Sequence, residues 1–277
     1  MFNFACVIAL QRYFIELAYN GTNYHGWQTQ PNAVTVQELL DKALQTVLRT
    51  PVETTGAGRT DTGVHARQLF AHFDIPRPAR GGEIGDTNQL STVKIELNRS
   101  LNALLPPDIS VKRIIPVHAD AHARFDATLR SYEYHVHFEK DPFRQNLSWQ
   151  LRDGLDINLM NRAATVLMEY TDFSCFSKSN TQVKTNNCKI SRAEWVAEED
   201  KTVFHISADR FLRNMVRAIV GTLMMVGKKE IEPETVRQII ESKNRSNAGT
   251  SVPACGLYLT EVRYPYIGIA CPPEVRA

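Results

Sequence analysis

Apolar and polar positions change their period several times along the chain, and each change marks an element. Tyr13 to Tyr19, "YFIELAY", is dense in aromatic and β-branched residues and ends at the turn pair Asn20-Gly21, so it predicts a strand. Thr35-Val36-Gln37-Glu38 forms a capping box ahead of Val36, Leu39, Leu40, Ala43, Leu44 and Val47, a helical period that closes before Pro51. Val52 to Thr55 reads as a short strand. In "QLFAHFD", Leu69, Ala71 and Phe73 alternate as a second. The string "PRPARGGEIGDTN", Pro76 to Asn88, reads as a mobile surface loop, rich in Pro, Gly and charge. Helix resumes near Thr92, stops before Pro106-Pro107, and "DISVKRIIPV" follows as a strand.

The second half repeats this order. "ATLRSYEYHVHF" predicts a long strand, "DINLMNRAATVLMEY" a helix capped by Asp156, and "CKISRAEWVAE" with "TVFHISA" a strand pair. Helices from about Arg210 to Val226 and from Pro233 to Ser242 precede the strand "GLYLTEVRY". Two β-α-β-β-α-β halves imply an α+β fold with two ferredoxin-like α/β lobes, mainly antiparallel sheets with helices on one face, and a cleft between the lobes. The expected division is an N-terminal extension over 1–11, lobes over 12–116 and 117–270, and a tail over 271–277.

Composition narrows the setting. A chain of 277 residues, 43% hydrophobic, is long enough for two domains with a sizeable core. The net charge is only +2, so a polyanion site has to come from local clustering. Cys6, Cys175, Cys188, Cys255 and Cys271 are odd in number, with no C-x-x-C pair, as expected of reduced thiols in an intracellular, cytoplasmic protein. No apolar run reaches the ~20 residues of a membrane helix. The opening "MFNFACVIAL" lacks the basic n-region of a secretory signal and is read as an extension.

The strongest candidate for chemistry is "TTGAGRTDTGVHARQ", Thr54 to Gln68, between two predicted strands. It is not a phosphate-binding P-loop, because Val64 and His65 stand where Lys and Ser or Thr belong. It is not a dinucleotide loop either, with Asp61 in place of the third glycine and a strand following instead of a helix. Asp61-Thr62-Gly63 spells the triplet of aspartic proteases, which need two such carboxylates sharing a proton. This chain has one copy, and Arg59 opposes a shared proton. A surface turn with an Arg59–Asp61 ion pair would account for the residues, but an Arg and an Asp on a loop facing a cleft between lobes favour a site.

"GRTDTGVHA" resembles the signature of the tRNA pseudouridine synthase A family. The likeness continues in family order through "YHGWQTQ", "TVQELLDKAL", "LNALLPPDI", "AHARFDAT", "YEY", "FLRNMVRAIVGTLMMVG" and "GLYL", from about Arg12 to Tyr264. The 76–88 loop departs from the family's shorter connection. The resemblance implies two α/β lobes around a basic cleft, tRNA as substrate, and isomerisation of uridine to pseudouridine in the anticodon arm at tRNA positions 38, 39 and 40. It further implies a homodimer, one tRNA arm crossing from one subunit to the site of the other, and no metal, nucleotide or redox cofactor.

Carried over by the resemblance, Asp61 is the catalytic aspartate, acting ionised as nucleophile or base. Arg59 supports it and can fill the gap left by a flipped base. Tyr132 alternates with Tyr134, Val136 and Phe138 as a core strand would; the resemblance makes Tyr132 the tyrosine that stacks on uracil and leaves Tyr134 to packing. Arg210, Arg213 and Arg217, at spacings of three and four, share one helix face, by itself the pattern of a solvated stripe. The resemblance makes Arg217 the buried ion-pair partner of Asp61, with Arg210 and Arg213 toward the tRNA backbone. It also places Leu257 in the apolar wall against the base; Leu259 fits that wall and core strand packing equally well. Arg12, Arg77, Arg80, Lys178, Lys184 and Lys189 are candidate phosphate partners. His118, His122, His135 and His137 have no carboxylate or cysteine spaced to complete a metal site.

Overall fold

The computed structural model describes residues 10–76, 87–178 and 185–268. Strand β1 (Leu10–Tyr19) begins inside the segment expected to be an extension, because Leu10 and Gln11 pair with Pro76 and Ile75 of β3 (His65–Pro76). Helix α1 (Val36–Leu48) starts where the capping box sets it: the Thr35 hydroxyl accepts from the Glu38 N–H at 3.4 Å. It ends at Arg49 in the left-handed conformation. The short β2 (Thr55–Gly56) pairs with β3.

Helix α2 (Thr87–Leu104) begins before the expected Thr92, and β4 (Ile109–Pro116) follows. Then come β5 (Leu129–His137), β6 (Trp149–Gln150) and α3 (Ile157–Val166), whose cap Asp156 accepts from the Leu159 N–H at 3.1 Å. The chain continues through β7 (Ile190–Ala197), β8 (Thr202–Ala208), α4 (Met215–Gly227), α5 (Thr235–Glu241) and β9 (Leu257–Arg263). The greater part of the 76–88 loop, with Arg77 and Arg80, lies outside the described residues, as do Cys6, Lys184 and Cys271.

The strands form one mixed, mostly antiparallel sheet instead of separate ones, in the order β4-β1-β3-β9-β5-β8-β7, with β2 on β3 and β6 on β5. With β6 set aside, β4-β1-β3-β2 and β9-β5-β8-β7 both run fourth, first, third, second within their halves. The halves join by a short parallel pairing, His65 with Tyr258 and Ala66 with Leu259. Without it, β9 would be an edge strand and the N-terminal end of β3 would lack a second neighbour, leaving peptide groups unpaired.

Apolar residues gather in two cores. One takes Phe14, Leu17, Leu40, Leu44, Phe70 and Leu101; the other takes Tyr134, Met160, Phe176, Phe204 and Ile219. β9 serves both, Leu257 packing in the second core and Leu259 and Val262 in the first. The catalytic-loop candidate therefore leaves and re-enters the sheet close to the seam.

Helix α4 starts later than the sequence predicts. Asn214 sits at φ 65° in the left-handed region, which cannot continue a helix, so Arg210 and Arg213 precede α4 and only Arg217 belongs to it. The three arginines do not form a stripe on one helix face.

The connection from β4 to β5 is fastened by side chains where secondary structure is lacking. Arg12 donates to Ala121 O at 2.9 Å, His72 Nδ1 accepts from the Ala123 N–H at 3.1 Å, and the Tyr264 hydroxyl donates to Ala123 O at 2.6 Å. Arg12 also holds Asp74 through two bonds of 2.8 and 2.7 Å, which uses the side chain proposed for phosphate contact.

Burial, with Arg12 and His122 adding like charge against the partial offset of Asp74 and Asp126, pushes the His72 imidazole down to about 4. Its folded value lies below the unfolded one, so the stability it contributes is full above about pH 6.5 and is lost as pH falls toward 4. The loss should reach up to about 3 kcal/mol. Urea unfolding at a series of pH values should show this slope, and His72→Asn, which keeps an acceptor in the place of Nδ1, should flatten it. Equal slopes in the two proteins would exclude His72 as the source.

Candidate active site

Residues 57–64 bridge β2 and β3 as a loop held by backbone and side chain alike. Ala57 N–H donates to Phe70 O at 2.7 Å, Val64 N–H to Asp61 O at 3.1 Å, and the Tyr19 and Thr60 hydroxyls share a bond of 2.9 Å. The segment Tyr24–Trp27 lies alongside: Trp27 N–H donates to Thr60 O at 3.3 Å and Gly63 N–H to Tyr24 O at 3.2 Å. This contact requires glycine at position 26. Its φ is 87°, and a Cβ there would stand 2.3 Å from Thr60 O. Gly63, at φ 78°, turns the chain back into β3. The bracing residues Tyr19, Tyr24 and Trp27 are all buried. "YHGWQTQ" therefore acts as a splint for the loop, a role that its sequence alone does not announce.

His65 closes the loop from the other end. Its Nδ1 accepts from the Gly21 N–H at 3.0 Å, which leaves the proton on Nε2 facing Cys255 O at 3.1 Å. Burial pushes this imidazole down, consistent with a neutral ring stacked on Tyr258 at 4.5 Å. One histidine thus ties the N-terminal half to the segment just before β9.

Held in this way, Asp61 presents its carboxylate to two guanidinium groups. Arg217 Nη1 stands 3.6 Å from Oδ2 and Arg213 Nε 3.8 Å from Oδ1. Both distances suit ion pairing but exceed a hydrogen bond. Among the described residues no group donates a hydrogen bond to either oxygen, so the carboxylate keeps its lone pairs free while positive charge stabilises it. Arg217 is the more firmly held of the two, donating through Nε to Val252 O at 2.7 Å with its side chain 21% exposed, against 57% for Arg213.

Arg59 does not join this cluster. It is exposed and forms no ion pair among the described residues, so the charge facing Asp61 comes from α4 and its lead-in and not from the neighbour two residues away. Between the two residues Thr60 is buried and bonded to Tyr19, which anchors the loop while Arg59 stays exposed.

Tyr132 on β5 is half-buried and meets Phe211 edge to face at 5.2 Å. Burial pushes its phenol up to about 12, with the charge of Asp61 adding to the rise against Arg130, so the hydroxyl stays protonated at neutral pH. Tyr134 is fully buried, its hydroxyl donating to Pro253 O at 2.9 Å. Leu259 is the cross-strand partner of Tyr132 and Leu257 of Tyr134, so both leucines lie on the face of the sheet that carries Tyr132. Both are buried in the cores. Arg210 sits half-buried at the start of the α4 lead-in. Lys178 and Lys189 are exposed.

Among the described residues no three His, Cys, Asp or Glu side chains gather as a metal site would require, and no helix is long and apolar enough to cross a membrane. The charged groups at ion-pair distance from Asp61 are guanidiniums, whereas an aspartic protease sets a second carboxylate there.

Known proteins show which family the chain belongs to. Residues 164–265 match the family described as tRNA pseudouridine synthase. A tRNA pseudouridine synthase A of Parabacteroides distasonis is 52% identical over 256 residues, covering 92% of this chain and 97% of that protein. That of Bacteroides thetaiotaomicron is 54% identical, covering 92% and 91%, and that of Acetivibrio thermocellus 39% identical, covering 90% and 97%. At these identities, across nearly the full length of both partners in each comparison, the chain belongs to the tRNA pseudouridine synthase A family.

Proposed function

We propose that this enzyme isomerises uridine to pseudouridine in the anticodon arm of tRNA, at positions 38, 39 and 40, with Asp61 as its single nucleophile or base. The observation that carries this reading is the state of the Asp61 carboxylate: fixed on a splinted loop, faced by two guanidiniums, and with neither oxygen committed to a hydrogen bond. Such a carboxylate can attack C1′ of the ribose, attack C6 of the base, or remove a proton on a glycal route. In each case the C1′–N1 bond breaks, the uracil turns, C5 joins C1′, the hydrogen on C5 leaves to solvent and N1 gains one. No electron is gained or lost, so no redox cofactor is called for.

The other residues take roles that fit their positions. Tyr132, neutral and on the face shared with Leu257 and Leu259, offers its ring to the uracil. Arg59, exposed beside the site, is free to occupy the gap that the flipped nucleotide leaves in the stem. Arg217 and Arg213 hold Asp61, and Arg210 reaches toward phosphate. Residues 12–116 and 117–270 form two ferredoxin-like lobes around a basic cleft. The active species is a cytoplasmic homodimer in which one subunit receives an arm of tRNA bound by the other.

The test uses unmodified tRNA carrying tritium at uridine C5, because joining C5 to C1′ releases that label to water. Release should reach one equivalent for each target uridine among positions 38, 39 and 40. No release above background from any tRNA with uridine there would refute the assignment.

A further inference from the structure

We propose that Arg130 is the positioning residue that holds the parts of this active site in register; this rests on the reaction assigned above. Arg130 lies on β5 two residues before Tyr132, on the same face of the strand. Its guanidinium donates four hydrogen bonds, all to backbone carbonyls. Nη2 reaches Ala57 O at 3.1 Å and Arg124 O at 2.6 Å. Nη1 reaches Asp209 O at 2.7 Å and Ala127 O at 3.0 Å.

These acceptors are not scattered. Ala57 opens the loop that carries Asp61, and Asp209 opens the lead-in that carries Arg213 and continues into α4 with Arg217. Ala127 and Arg124 belong to the fastened connection between β4 and β5. One planar group therefore ties together the strand of Tyr132, the loop of Asp61 and the lead-in to both guanidiniums that face it. Among the described residues Arg130 has no carboxylate partner in an ion pair, and burial pushes its guanidinium down. Four of its five N–H groups are spent on the scaffold, so the side chain is built to hold backbone and not to bind phosphate.

The 3.6 and 3.8 Å spacings at Asp61 depend on two segments far apart in sequence keeping a fixed distance. A single guanidinium bonded to both does this directly. Lysine cannot replace it, since an ammonium offers three donors from one point and lacks the fork that reaches carbonyls on both sides.

The experiment compares Arg130→Lys and Arg130→Ala with wild type by tritium release, thermal unfolding and hydrogen exchange. Arg130→Lys should fold, with kcat reduced about 10- to 100-fold and KM within about threefold, as expected of misplaced reacting groups. Amide exchange should rise selectively in residues 57–64 and 209–214. Millimolar methylguanidinium should restore part of the kcat lost by Arg130→Ala. A kcat within about twofold of wild type for Arg130→Lys would overturn the proposal. So would exchange rising across the whole chain, failure of Arg130→Lys to fold, or absence of rescue. If wild type releases no tritium, the reaction fails instead, and the exchange measurement still decides whether Arg130 couples the two segments.

Discussion

Asp61→Asn should lower kcat at least about 10⁴-fold while tRNA affinity stays within about threefold. The amide matches the carboxylate in size, so the splinted loop keeps its form, with Thr60 still bonded to Tyr19 and Gly63 to Tyr24. What it loses is the charge and the nucleophilic oxygen, and every route open to Asp61 needs them. Affinity should hold because phosphate contacts supply most of it, and removing one negative charge from the site does not weaken a polyanion's binding. Filter binding and single-turnover tritium release measure the two quantities apart. A variant keeping more than about a hundredth of wild-type kcat would remove Asp61 from the covalent or proton-transfer step.

The second large effect belongs to Arg217. Arg217→Met keeps the length and apolar stem of the side chain but deletes both the bond to Val252 O and the charge 3.6 Å from Asp61. Removing one preorganised charged group from an enclosed site costs about 10²- to 10³-fold in kcat. Arg217→Lys should fall between, because one ammonium cannot serve Val252 and Asp61 together. Arg213→Ala gives the contrast: its guanidinium is more than half exposed and 3.8 Å away, and solvent screening should hold the loss below about tenfold. Equal losses in Arg213→Ala and Arg217→Met would mean that burial is not what sets their weight.

Much of the fold is legible in the sequence. Capping at Thr35 and Asp156, the alternation in β3 and β5, and the repeated order of the halves follow from local rules, and the structure keeps those elements. The misplaced boundaries have causes that composition hides. β1 extends to Leu10 because β3 is there to pair with it, and α4 waits for Met215 because Asn214 takes a left-handed conformation. Joining into one sheet was not legible, since a two-residue parallel pairing leaves no periodic trace.

The sequence by itself determined the order of strands and helices, the family resemblance, and the presence of one aspartate on a glycine-rich loop between two strands. All of these reside in short windows, where spacing and residue type are enough. The tertiary structure alone decided which charges meet. Arg59, two residues from Asp61, turns to solvent, while Arg213 and Arg217 arrive from the other half of the chain to face it, and Arg130 ties their lead-in to its loop. Coulomb interaction and hydrogen bonding act over a few ångströms of space, and a tight turn separates neighbours in sequence as readily as a folded sheet brings distant residues together.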